Sequence, residues 1–390
     1  MSPKAGSRIQ SVDVVRGIVM IIMALDHTRD FFHYSAYHFN PEDLTKTNGI
    51  LFFSRWITHL CAPLFVFLAG VSVRLASSKR PSRGDIARHL IARGLWLIFL
   101  EWTVFEFMWT FSFRYDVVVL QVIWAIGWSM IFLAALIWLP ERVIAVIAVA
   151  MIVFHNAFDS VPLPGLWTVL HRPTVFLTSG PRIFELYPLV PWIGVLAAGY
   201  CFAPTLQIDD ARRRRTVLLR LGIALTAAFF ALRLLNVYGD PSPWKPQSTL
   251  TLTVISFFRT SKYPPSLEYL LMTLGPGILA LGLMDRLRVS EWNPLRVFGR
   301  VPMFYYVCHF YLIHAVALLV SFVRYGRWDY FLHVPGALLG LPDPTFPKDW
   351  GYNLAVVYLI WACIVAALYF PCRWFAAFKQ RKRAWWLSYV

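Results

Sequence analysis

The chain has 390 residues, 58% of them hydrophobic and only 15% charged, with a formal net charge of +16. A soluble domain has about 45–50% apolar and about 25% charged residues. The composition therefore excludes an ordinary water-soluble enzyme and a disordered chain, and leaves a polytopic membrane protein. Its 17 Trp and 17 Tyr suit the aromatic belts of two membrane interfaces.

A bilayer core of roughly 30 Å is crossed by about 20 apolar helical residues. Hydropathy predicts spans at 12–33, 51–76, 90–112, 117–139, 142–158, 186–204, 216–237, 267–284, 297–322 and 352–376. The expected fold is all-α, a single bundle of about ten transmembrane helices covering 1–390. Residues 1–11 form an N-terminal tail and 377–390 a basic C-terminal tail. The longer connections, 34–50, 159–185, 238–266 and 323–351, fall on one side and should pack over a site there, with a short interfacial helix near 164–171. The opposite side carries nearly all of the net charge, including Arg83, Arg88, Arg93, the run Arg212 to Arg215, and Lys379 to Arg383. By the positive-inside rule that side is cytoplasmic, with both termini. The charge thus reports orientation and contact with anionic lipid rather than a nucleic-acid partner.

Ionisable groups inside spans are costly and mark function by default. The first span is densest. Asp13, Arg16, Met20, Met23, His27 and Asp30 follow a 3/4 spacing and share one helix face. Arg16 and His27 lie about 16 Å apart along the axis, with Asp26, Arg29 and Asp30 clustered at the His27 end. An internal ion-pair network, with Arg16 reaching the headgroups, is the structural alternative. In the second span Arg55 and His59 share a face, one turn before Pro63. The third holds Glu101 and Glu106, for which pairing with an arginine is expected. Gln121 opens the fourth, and Lys262 stands before the eighth, placed to bind an anion or close a site. The ninth carries His309 and His314, whose spacing turns them about 140° apart. The five cysteines are scattered and no HExxH or paired Cys/His spacing occurs, so no metal site is indicated. Nucleotide-binding fingerprints and a G-x-S-x-G elbow are also missing.

Asp13-Val-Val-Arg16 followed by His27 resembles the Arg-x10-His signature of integral-membrane acyltransferases. More specifically, the chain resembles bacterial relatives of heparan-alpha-glucosaminide N-acetyltransferase. The likeness runs through V12–F32, R55–G70, L120–W128, Y187–G194, K262–P276 and G299–H309, in order. It implies an acyltransferase of the bacterial inner (cytoplasmic) membrane. The implied donor is acetyl-CoA, a co-substrate bound from the cytoplasmic side with no permanent cofactor. The implied acceptor is a small molecule or glycan with an amine or hydroxyl, on the far side. His27 matches the histidine implicated across the superfamily. The animal enzyme has asparagine there and a catalytic histidine eleven residues on, which an ungapped match puts at His38. His309 matches a further family histidine.

On this reading His27 is the general base, held by Asp26 or Asp30. Arg55, His59 or His309 polarises the carbonyl or orients the acceptor. Arg16, Arg29, Gln121, Lys262 and His314 complete the candidate binding set. Direct transfer and an acyl-histidine intermediate both stay open, as does assembly into a homo-oligomer. The competing reading is a proton-coupled secondary transporter using the same Asp, Arg and His groups. Neither a repeat pair nor matched broken helices supports it.

Overall fold

The computed structural model describes residues 9–77, 82–161, 166–176, 182–333, 346–382 and 387. Among the described residues, ten helical rods run along the predicted spans, and seven of them are long and apolar enough to cross a membrane. In chain order they begin with α1 (Gln10–Phe32), α2 (Gly49–Ser77) and α3 (Arg83–Leu100). The third runs on through one π-turn, Glu101–Phe105, into Glu106–Thr110. Next come β1 (Val117–Leu120), α4 (Val122–Leu136), α5 (Glu141–Phe158) and a short α6 (Leu166–His171). Strands β2 (Thr174–Phe176) and β3 (Arg182–Glu185) lead to α7 (Leu189–Gln207) and α8 (Ala211–Leu235). The chain closes with α9 (Leu250–Phe258), α10 (Leu267–Met284), α11 (Pro294–Arg300), α12 (Pro302–Tyr325) and α13 (Leu354–Arg381).

Among the described residues, seven helices are long and apolar enough to cross a membrane: α2, α5, α7, α8, α10, α12 and α13. The other three rods are of a different kind. The first is laced with charge, the third opens on Arg83, Asp85 and Arg88, and the fourth has only 15 residues. Large apolar side chains cover the outside of the bundle, among them Val146, Val149, Leu234, Leu359, Phe370 and Trp374. A water-soluble surface of this extent would be an aggregation site; a lipid-facing one is stable.

The all-α expectation needs one correction. Residues 117–120 do not begin the fourth helix but form β1, which pairs in parallel with β3, while β2 pairs antiparallel with β3. Three consecutive valines, stiff at χ1, favour the extended chain here. The helix expected near 164–171 is observed as Leu166–His171, and 164–165 lie outside the described residues. The expected ninth span is also divided. Val301 leaves helical geometry (φ −131°, ψ 51°) and Pro302 starts a new helix at its first position, where a missing N–H costs nothing.

α1 is the axis of the bundle, in contact with α2, α10, α11, α12 and α13. Its meeting with α11 is backbone on backbone. A Cβ on Gly299 would fall 1.7 Å from the Asp13 carbonyl oxygen, and one on Gly17 would fall 1.8 Å from that of Leu295. Small residues allow this approach inside a membrane, where van der Waals packing rather than hydrophobicity joins helices.

Candidate active site

Because α1 is central, the charged end of its stripe is buried among neighbours rather than facing solvent. Asp26 is the hub. One of its oxygens accepts from Arg29 Nη2 at 2.9 Å, Arg55 Nη1 at 2.6 Å and Thr58 Oγ1 at 2.9 Å. The other lies 4.0 Å from Lys262 Nζ. The same Arg29 nitrogen donates to Asp30 at 3.0 Å. A carboxylate can accept several donors at once, so Asp26 holds two guanidiniums from different helices in fixed positions.

Local breaks in α2 bring Arg55 and Thr58 to this point. Pro63 has no N–H to offer the carbonyl four residues back. The chain tightens into a 3-10 turn over Ile57–Leu60, and the released His59 carbonyl accepts from the Tyr269 hydroxyl at 2.9 Å. His59 itself points away from the cavity, its Nε2 3.3 Å from Glu42 Oε1. Burial would raise the Glu42 carboxyl, but His59 beside it and the Arg55 and Arg259 guanidiniums hold it at about 2.

Asp26, His27, Asp30, Arg55, Gln121 and Lys262 all line one cavity of about 300 Å³, with Thr58, Trp109, Tyr187, Tyr263 and Tyr306. The Nδ1 of His27 is 3.6 Å from Asp30 Oδ2, beyond hydrogen-bond length, and has no other partner among the described residues. The ring sits among Phe310 (centroids 4.7 Å), His309 (5.4 Å), Trp109 and Tyr306. His309 is fully buried behind it. Its Nδ1 lies 2.9 Å from the Tyr305 carbonyl, which only accepts, so Nδ1 carries the proton. Its Nε2 has no partner among the described residues.

The structure separates other candidates from this cavity. His38 sits stacked on Tyr34, its nitrogens on the Tyr34 and Lys348 carbonyls, and does not line it. His314 joins the Met108 and Phe331 carbonyls, a staple between α3 and the segment after α12. Arg29 is buried behind Asp26 and Asp30. The arginine pairing expected for Glu101 and Glu106 is replaced by backbone donors. Glu101 accepts from the N–H groups of Gln121 and Trp124, and Glu106 from that of Val119, so the two acids bind the end of β1 and the start of α4 to α3. A carboxylate there also complements a helix N-terminus. Arg233 likewise pairs with Glu268 at 2.8 Å and caps the carbonyls of Ser256, Phe257 and Arg259.

Arg16 belongs to a second cavity, of about 220 Å³, lined also by Ser72, His89, Arg93, Arg300 and Lys379. Its guanidinium is oriented by Ser72 Oγ at 2.6 Å and the Gly299 carbonyl at 3.5 Å. The two cavities approach along α2 and α12. Ala62 and Tyr306 line the first, while Phe65 and Met303, three residues away on each helix, line the second. The Tyr306 ring of the first lining and the Phe65 ring of the second have centroids 6.5 Å apart and are nearly parallel. Sequence reasoning missed Thr58, Tyr187, Tyr263 and Tyr306, for which no spacing rule applies; Trp109 carried only the general mark of an interfacial aromatic.

A helical membrane bundle whose central helix joins a basic cavity to a His/Asp/Arg cavity is a class suited to chemistry on a polar group within the membrane. Residues 8–240 match the family model described as heparan-alpha-glucosaminide N-acetyltransferase, catalytic, and the chain belongs to that family. Membership points to a membrane acetyltransferase. No curated protein matches the chain.

Proposed function

We propose that the protein transfers an acetyl group from acetyl-CoA to an amine or hydroxyl of a small, sugar-like acceptor. The observation that carries this reading is the pair of cavities on α1, one basic and one holding His27, with Phe65 in the wall of the basic one facing Tyr306 in the wall of the other. Phosphates of the donor meet Arg16, Arg93, Arg300 and Lys379, cations suited to a polyanion. The pantetheine arm runs past the Phe65 and Tyr306 rings and brings the thioester to the first cavity, where the acceptor enters from the other side.

There His27 takes the proton as the acceptor nitrogen or oxygen attacks the thioester carbon. Arg55 and Lys262 lie near the cavity wall to stabilise the oxyanion as it forms. The tetrahedral intermediate collapses, the C–S bond breaks, and the proton on His27 passes to the departing thiolate. Asp26 positions Arg55, and Asp30 attracts the His27 imidazolium while it exists. All ten rods cross a bacterial inner membrane in this reading, with both termini and the basic cavity cytoplasmic.

The test uses the full chain purified in detergent, supplied with acetyl-CoA and a panel of glucosamine-type and other amine acceptors, with free thiol followed over time. Acceptor-dependent thiol release that a His27→Ala variant lacks is the expected result. Release no faster than that variant across the whole panel would overturn the assignment. Acetyl-CoA should also raise the unfolding temperature, because a ligand of the folded state stabilises it by mass action.

A further inference from the structure

Outside both cavities, the last turn of α5, the residue after it and the end of α6 bring together His155, Asp159 and His171. One ligand atom from each lies within 4.8 Å of the others. His171 Nε2 is 2.9 Å from Asp159 Oδ1, which by itself is an ordinary histidine–carboxylate contact. It leaves His155 unexplained. That ring is 3% exposed, and neither of its nitrogens has a partner among the described residues. A buried polar group left unpaired costs about 1–3 kcal/mol. The orphan ring faces the other two across a gap with its centroid 5.7 Å from that of His171.

We propose that His155, Asp159 and His171 bind a divalent transition-metal ion of the zinc class. Two imidazoles and a carboxylate are the donors such an ion takes, and three protein ligands leave a fourth position for water. Ligand atoms around tetrahedral zinc stand about 3.3 Å apart at bond lengths of about 2.0–2.1 Å. The widest pair here therefore closes by at most about 1.5 Å, and the His171–Asp159 contact opens slightly while releasing its shared proton. The surroundings already hold the ligands in place. Asn156 Nδ2 donates to the other Asp159 oxygen at 2.9 Å, and the Trp167 ring stacks on His171 at 5.0 Å. Arg172 donates to the Asp159 main-chain carbonyl, leaving the carboxylate to the ion.

The ion would act as a clamp beside the active site. β2 starts three residues after His171 and pairs with β3, which continues into Leu186 and Tyr187 of the first cavity wall. Asn156 Oδ1 also accepts from the Leu267 N–H at the start of α10. The end of α5, the sheet and α10 thus meet at one point, which the metal fastens.

The experiment takes the full chain in detergent with any histidine tag removed, strips it with a chelator and titrates Zn²⁺. Metal retained after desalting should reach about one ion per chain, with a matching rise in unfolding temperature. His155→Ala and His171→Ala should each weaken Zn²⁺ binding at least about tenfold, while His38→Ala binds as the wild type does. Should those variants fail to fold, Co²⁺ on the wild-type chain gives a second readout: a saturable visible band, at one equivalent, displaced by Zn²⁺. No saturable uptake, equal binding by folded His155→Ala and His171→Ala, or no Co²⁺ band would overturn the site.

Discussion

At Asp26 a single buried carboxylate accepts from Arg29, Arg55 and Thr58, while Asp30 shares Arg29. Breaking a buried ion pair by removing one partner costs far more than the pair itself contributes, about 3–5 kcal/mol. Asp26→Asn, nearly isosteric, is therefore expected to lower stability by about 3 kcal/mol or more, read by thermal unfolding in detergent. A variant as stable as the wild type would contradict the hub. His27→Ala should behave in the opposite way. Removing a general base costs about 10²–10⁴ in rate, with acetyl-CoA still raising the unfolding temperature because the basic cavity is untouched. Glu185 offers a pH prediction. Both its oxygens are buried without a partner among the described residues, and burial raises its carboxyl from 4.5 to about 9. Between those values the folded chain keeps a proton the unfolded chain has lost, so stability falls as pH rises through that range. Glu185→Gln removes the dependence: unfolding temperatures of the two proteins should coincide in mild acid and diverge in the variant's favour toward pH 9. Parallel curves would exclude a neutral, buried Glu185.

At the scale of elements, the contact between α1 and α11 carries the Arg16 end of the site. A methyl group on Gly299 would lie 1.7 Å from the Asp13 oxygen, so Gly299→Ala must push the two helices apart. The expected outcome is a lower unfolding temperature and weaker protection by acetyl-CoA, whereas Gly84→Ala, whose nearest neighbour is 3.7 Å away, changes neither. Equal behaviour of the two variants would argue against close backbone packing. The same elements mark how far the sequence could be read. The α1 stripe was legible because a helix repeats every 3.6 residues, and a run such as Asp13, Arg16, His27, Asp30 has few other meanings inside a span. The strand at Val117–Leu120 was not legible. A short apolar run reads equally as helix or strand until a partner is known, and its partner Arg182–Glu185 lies some sixty residues on. The acids of α3 were visible as anomalies, but backbone N–H groups are present at every residue and leave no sequence mark, so an arginine was expected where Gln121 and Trp124 serve. Tyr187, Tyr263 and Tyr306 reach the cavity from three separate segments, and only the folded chain brings them together.

At the scale of the whole molecule, ten rods make an even number of crossings in the proposed reading, which returns both ends of the chain to the basic side. Epitope tags at the two termini should then be digested together in inverted vesicles and protected together in right-side-out ones. Digestion of one tag alone would require an odd number of crossings. The Phe65–Tyr306 contact has a consequence at this scale as well. Two polar cavities in one bundle resemble the vestibules of a channel, and a continuous water path between them would discharge the ion gradients a cell lives on. The apolar faces of Phe65 and Tyr306, with ring centroids 6.5 Å apart, offer a hydrated ion nothing in exchange for its water. In the proposed reading this partition lets an acetyl group pass while the membrane stays electrically sealed.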